Sequence, residues 1–270
     1  MRALIAALAA FAAAGGVAQA QAQSPAAREI VTLPTRPGVT QSFLLAGMGE
    51  VKPLAAALLF IGGGGGIRLR MEDGQVRFGA QNFLPRSRLE FIRNGILPVI
   101  MDNPSDQQGG AGMSDDFRIG REHLADVRAV VAEVKRRHPS LPVFLVGTSR
   151  STISVAYLGL EMAGAVDGIV LSSSLWRTRH PGSLQWFEWQ KLRLPALVVH
   201  HREDGCPATY YHDMPSGAAK LPLVSVKGGK PPESGPCDPL AAHGFFGKEA
   251  ETVDAIAAWM LGKPYRNDID

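Results

Sequence analysis

Short apolar runs alternating with longer amphipathic patterns constrain this chain more than any other feature. Ala55–Ile61, Ile96–Met101, Val143–Val146, Gly168–Ser172 and Ala196–His200 are apolar almost throughout. A strand of that kind has no water-facing side, so both faces must be covered by helices, as in a parallel sheet. Glu29–Leu33, Gln41–Leu45 and Leu221–Val226 are further candidate strands. Between the runs lie helical patterns. Over Arg121–Arg137, Leu124, Val127, Val130, Val131 and Val134 recur at helical spacing, and Arg136, Arg137 and His138 complement the C-terminal dipole before Pro139 ends the element. Thr152–Ala163 is small and apolar nearly all round and is expected to be deeply buried. Glu249–Leu261 carries Val253, Ile256, Ala257 and Met260 on one side. The order predicts an α/β fold with a mostly parallel central sheet flanked by helices.

Composition removes several alternatives. A chain of 270 residues that is 46% hydrophobic and 20% charged can bury a sizeable core, which excludes a disordered protein. Its 30 glycines and 19 prolines follow no fixed period, so they mark loops and not a fibre. The net charge of +3 is a small excess of Lys and Arg without a basic face, and nucleic acid is not an expected partner.

Arg2, the apolar run Ala3–Ala14, Gly15-Gly16 and the small-residue series from Ala18 to Ala22 read as a secretory signal peptide over residues 1–22. One domain is expected over residues 23–270. No later run reaches the roughly 18 apolar residues a span needs, so the mature protein is expected to be secreted or periplasmic without a stable membrane span. Its oligomeric state stays open. In an oxidising compartment Cys206 and Cys237 can bridge and close a loop of about thirty residues. Neither lies in a CxxC pair and zinc ligands at standard spacing are missing, so no metal is expected.

The segment richest in chemical information runs from Leu141 to Ser154, a buried strand entering a buried helix through Gly147-Thr148-Ser149-Arg150-Ser151. It resembles the nucleophile elbow of the α/β-hydrolase superfamily, G-x-S-x-G between strand and helix, with Ser151 in place of the final glycine. The resemblance implies Ser149 as nucleophile and an α/β-hydrolase fold over the mature chain. A serine alcohol needs a base, and in this superfamily the acid and histidine follow downstream. Leu194-Pro-Ala-Leu-Val-Val-His-His-Arg-Glu-Asp resembles the penultimate core strand and acid loop, which makes Asp204 the matching carboxylate, with Glu203 its nearest rival. His243 lies in a Gly-containing loop ahead of Glu249–Leu261, the position of the base; His212 is too close to Asp204. A Cys206–Cys237 bridge would then tie the acid loop to the base loop.

The run Gly62–Gly66 after Ala55–Ile61 stands where the superfamily often carries an HGGG-type oxyanion loop, without the leading His. Gly63 and Gly64, with the Arg150 N–H, are the expected oxyanion donors. Asp102, at the end of its strand, and Trp176 and Trp186, in the two dozen or so residues where a lid is commonly inserted, are expected to line the substrate site beneath a short cap. His123 and Asp126 read as a surface or second-layer pair, and His200 and His201 point to opposite faces. The implied activity is serine carboxylesterase chemistry through an acyl-enzyme, with no cofactor, on a small or extended ester. Three other readings stay open: a peptidase or amidase on the same triad, a non-catalytic binding protein, and a metal-dependent hydrolase using His200, Asp204 and His243.

Overall fold

The computed structural model describes residues 28–79, 81–177 and 182–270. The expected signal peptide and residues 23–27 lie outside the described residues. The strands are β1 (Glu29–Arg36), β2 (Val39–Leu45), β3 (Ala55–Phe60), β4 (Arg70–Glu72), β5 (Gln75–Arg77), β6 (Ile96–Met101), β7 (Val143–Thr148), β8 (Gly168–Ser172), β9 (Ala196–His201), β10 (Leu223–Val226) and β11 (Asp268–Ile269). The helices are α1 (Phe83–Arg86), α2 (Arg88–Arg93), α3 (Asp115–Ile119), α4 (Arg121–Arg137), α5 (Ser151–Glu161) and α6 (Glu249–Met260).

Nine strands form one sheet in the order β1-β2-β6-β3-β7-β8-β9-β10-β11, and β4 with β5 makes a separate hairpin. β1 and β2 pair antiparallel, as do β2 and β6; every pairing from β6 to β11 is parallel. The period-two geometry of a strand explains why the central runs are apolar at every position. In β3, Ala56, Leu58 and Phe60 enter the core on one face with the valines of α4, while Ala55, Ala57 and Leu59 enter the other with Val253 and Ile256 of α6. β6, β7, β8 and β9 are likewise buried at all their residues. α4 buries Val127, Val130, Val131 and Val134 and ends on Lys135, Arg136 and Arg137, as its sequence predicts.

The C-terminal ends of the parallel strands β3, β7 and β9 lead into the glycine run, the Ser149 turn and the acid loop respectively. Ligands of open α/β sheets bind at that edge.

Candidate active site

Ser149 sits in the turn between β7 and α5 with φ +57°, a left-handed conformation that a serine adopts only when its surroundings impose it. Those surroundings are identifiable. The Ser149 amide donates to the Ser172 carbonyl at the end of β8, 2.9 Å away. Gly147 lets strand and helix meet, because a Cβ there would come within 2.8 Å of the Ser151 carbonyl and of Val155. Ser151, where the superfamily pattern has glycine, is fully buried and its hydroxyl is used: it accepts from the Thr148 amide at 3.1 Å and lies 2.5 Å from the Phe60 carbonyl. That hydroxyl fastens the turn to β3.

The acid loop brings Asp204 and His243 together across 39 residues. His243 Nδ1 stands 2.9 Å from Asp204 Oδ2, both side chains being buried. The Cys206 amide donates to Oδ1 at 3.0 Å and the Thr209 hydroxyl to Oδ2 at 2.9 Å. With these donors the carboxylate is held in one orientation, able to fix the imidazole tautomer. Glu203 is exposed instead and accepts from the Gly228 amide. The disulfide Cys206–Cys237 links the two loops. His243 is also held from behind, by Ser173 Oγ donating to its carbonyl at 2.7 Å.

Ser149 and His243 line one pocket with Gly62, Gly63, Thr148, Asn82, Phe83, Cys237, Pro239 and Gly244. Gly62 touches the serine so closely that a Cβ there would stand 2.9 Å from Ser149 Cβ. Among the described residues, neither the Gly63 nor the Arg150 amide donates a hydrogen bond. A larger cleft of about 520 Å³, lined by Arg118, Arg121, Leu124, Arg128 and Tyr157 among others, has no serine, cysteine or histidine in its lining.

Residues 90–227 match the protein family described as "Serine aminopeptidase, S33". The chain is a member of this α/β-hydrolase family. No curated protein matches the hydrolase. Its fold is similar to that of an α/β serine hydrolase homologue from Coxiella burnetii, with 12% identity, 87% of this chain and 96% of that one covered and a TM-score of 0.57. It is also similar to an α/β serine hydrolase without lid from Xanthomonas campestris, at 16% identity, 88% and 97% coverage and a TM-score of 0.54.

Several expected site residues of the hydrolase stand elsewhere. Gly64 is not part of the Ser149 pocket; it packs against Ala111 and Gly112. Asp102 is not among the residues of the Ser149 pocket. Its buried carboxylate accepts the amides of Ile67, Leu69 and Asn103 at 2.8, 2.8 and 2.9 Å, which ties down the exit of the glycine run. Trp176 is fully buried, stacks on His200 with ring centroids 5.7 Å apart and is not among the residues of the Ser149 pocket. Trp186 is 76% exposed but is not among the residues of the Ser149 pocket.

His123 is not paired with Asp126. The histidine is buried with neither ring nitrogen hydrogen-bonded, and Asp126 instead binds Arg36 and Thr35. His200 turns Nε2 toward the Thr209 carbonyl at 2.6 Å, which requires a proton on that nitrogen, and its Nδ1 has no hydrogen-bond partner. Burial pushes the His200 ring down to about 4, against the opposing pull of Asp204, so it is neutral at pH 7.

Sequence reading missed three residues around this site. Thr209 holds Asp204, Asp115 holds Arg150 through its Nε at 2.6 Å, and Arg118 donates to the Gly63 carbonyl at 2.9 Å. For Asp115 and Arg118 the available signal was a helical pattern, and α3 has five residues, too few to display one, while Thr209 lies in a loop.

Proposed function

We propose that this member of the serine hydrolases is an exported carboxylesterase that works through Ser149, His243 and Asp204. The observation that carries the reading is the 2.9 Å contact of His243 with a buried, fully hydrogen-bonded Asp204, in a pocket shared with a serine at φ +57°. His243 takes the proton of Ser149 Oγ as the oxygen attacks the ester carbonyl, and Asp204 stabilises the imidazolium. The amides of Gly63 and Arg150 receive the oxyanion. His243 then returns the proton to the departing alcohol, and water, activated in the same way, releases the acid from the acyl-enzyme.

The family description keeps an aminopeptidase in view. Such an enzyme must hold a cationic α-amino group beside the scissile bond, yet the described residues lining the Ser149 pocket include no Asp or Glu. This favours a neutral ester. Export agrees with the N-terminal sequence and with a disulfide, which persists in oxidising compartments.

An organofluorophosphonate should label the purified protein at Ser149, and Ser149→Ala should abolish both labelling and hydrolysis of a short p-nitrophenyl ester. Labelling at another residue overturns the nucleophile. Faster turnover of N-terminal aminoacyl amides than of esters overturns the esterase reading and supports the peptidase.

A further inference from the structure

Arg118 is 1% exposed, and among the described residues it forms no ion pair. Its guanidinium donates to the Gly63 carbonyl at 2.9 Å and to Ser154 Oγ at 3.2 Å, and its Nε has no partner. Burial pulls it down to about 10, further lowered by Arg150 and partly offset by Asp115. Enclosing a cation without a hydrogen-bonded carboxylate opposes folding, so what the group holds in place is informative.

It holds the loop that carries one of the two amides expected at the oxyanion. Gly62 to Gly65 form a turn closed by the Gly65 amide on the Gly62 carbonyl at 3.2 Å, with φ +60° at Gly63 and +89° at Gly65. Without Cβ atoms, the peptide between Gly63 and Gly64 has little to resist rotation. A guanidinium on its carbonyl removes that freedom and so fixes the backbone torsions next to the Gly63 amide. The other expected donor, the Arg150 amide, belongs to a residue whose side chain is bound by Asp115, itself buried. Asp115 and Arg118 stand three residues apart on α3.

We propose that α3 is a clamp that sets the distance and direction between the two oxyanion donors, with Arg118 and Asp115 as positioning residues. Arg118 acts through the Gly63–Gly64 peptide and Asp115 through the Arg150 side chain. The clamp rests on the serine hydrolase reading given above. It touches no substrate atom, so its effect falls on the tetrahedral state more than on ester binding.

The test uses the purified protein, a p-nitrophenyl ester and a phenylboronic acid, whose tetrahedral adduct on Ser149 needs the same donors. Arg118→Met should lower kcat about 100-fold and weaken boronate inhibition by a similar factor, with KM within about threefold. Arg118→Lys, which keeps one donor for the Gly63 carbonyl, should recover about tenfold of that loss. Asp115→Asn should cost about tenfold in kcat. Thermal midpoints separate these effects from unfolding, and if Arg118→Met does not fold, Arg118→Lys and Asp115→Asn decide. Folded variants with wild-type kcat and boronate affinity overturn the clamp alone, as does a loss confined to KM. A wild-type protein that neither labels with organofluorophosphonate nor hydrolyses ester overturns the serine hydrolase reading and the clamp with it.

Discussion

Ser149 and His243 face one pocket from regions secured in different ways. The serine turn is built into the buried core: β7 is buried at all six residues, α5 packs against it, and the buried hydroxyl of Ser151 bonds across to β3. The histidine loop follows a run, Lys227 to Asp238, that is exposed at nearly every position. Four hydrogen bonds anchor the start of that run: the amides of Lys227, Gly228 and Lys230 donate to Ile269, Glu203 and Phe246, and the Gly228 carbonyl meets His201 Nε2. Nearer His243 it is held by Cys206–Cys237, and the ring itself by Asp204. Ser149 is therefore positioned chiefly by packing, and His243, in a stretch where Ala241, Gly244 and Phe245 are also buried, by packing together with directed bonds. Packing distributes a perturbation over many contacts, whereas a directed bond concentrates it in one residue.

The sharpest way to break this comparison is at the base. His243→Ala should reduce ester turnover at least about 10³-fold without changing the secondary structure, and Asp204→Asn should follow with a loss of similar order through the wrong imidazole tautomer. Turnover and circular dichroism check both; an unchanged rate for His243→Ala rejects it as base.

The disulfide should come next. Closing a 31-residue separation is worth roughly 3–4 kcal/mol by loop entropy. Cys206→Ser with Cys237→Ser, or reduction of the native protein, should lower the thermal midpoint and reduce kcat about tenfold, because the partner of His243 loses the anchored loop beside it. Two free thiols titrated before any reductant is added would show that the bridge is not formed in solution.

A smaller effect is expected at the packed side. Ser151→Ala strips the Thr148 amide of its buried acceptor and should destabilise by about 1–2 kcal/mol, with kcat held within a few-fold. A loss of activity larger than that from removing the disulfide would invert the comparison.

The last effect concerns acid and lies away from Ser149. Burial holds His200 down to about 4 and His123 to about 3, while an unfolded chain protonates both near 6.5. Between those values the unfolded state binds more protons, so stability present above about pH 6.5 is lost progressively as pH falls toward 4 and below. The urea midpoint should decline over that window, and His123→Phe should flatten part of the slope. A midpoint that stays level in the wild type refutes it.

What could be read from the sequence divides along the same line. β3, β6, β7, β8, β9, α4 and α6 were legible because burial on one or two faces writes a period into the side chains. The approach of Asp204 to His243 was legible only through a resemblance in motif order. Arg118 was not, because a charged residue on a five-residue helix looks like a solvated one, and its burial depends on a carbonyl 55 residues away. Trp176 and Asp102 lie outside the Ser149 pocket for the complementary reason. An indole suggests a wall over a cleft and an aspartate in a turn suggests a ligand, but one is consumed by His200 and the other by three amides. In each case the deciding partner is remote in the chain.

The left-handed backbone at Ser149 carries an evolutionary corollary. A glycine there would adopt φ +57° without penalty, so Ser149→Gly should give a protein as stable as the parent or slightly more so, by up to about 1 kcal/mol, and without turnover. Laboratory selection for thermal robustness alone would drift toward discarding the serine, and only selection that also demands product would retain it.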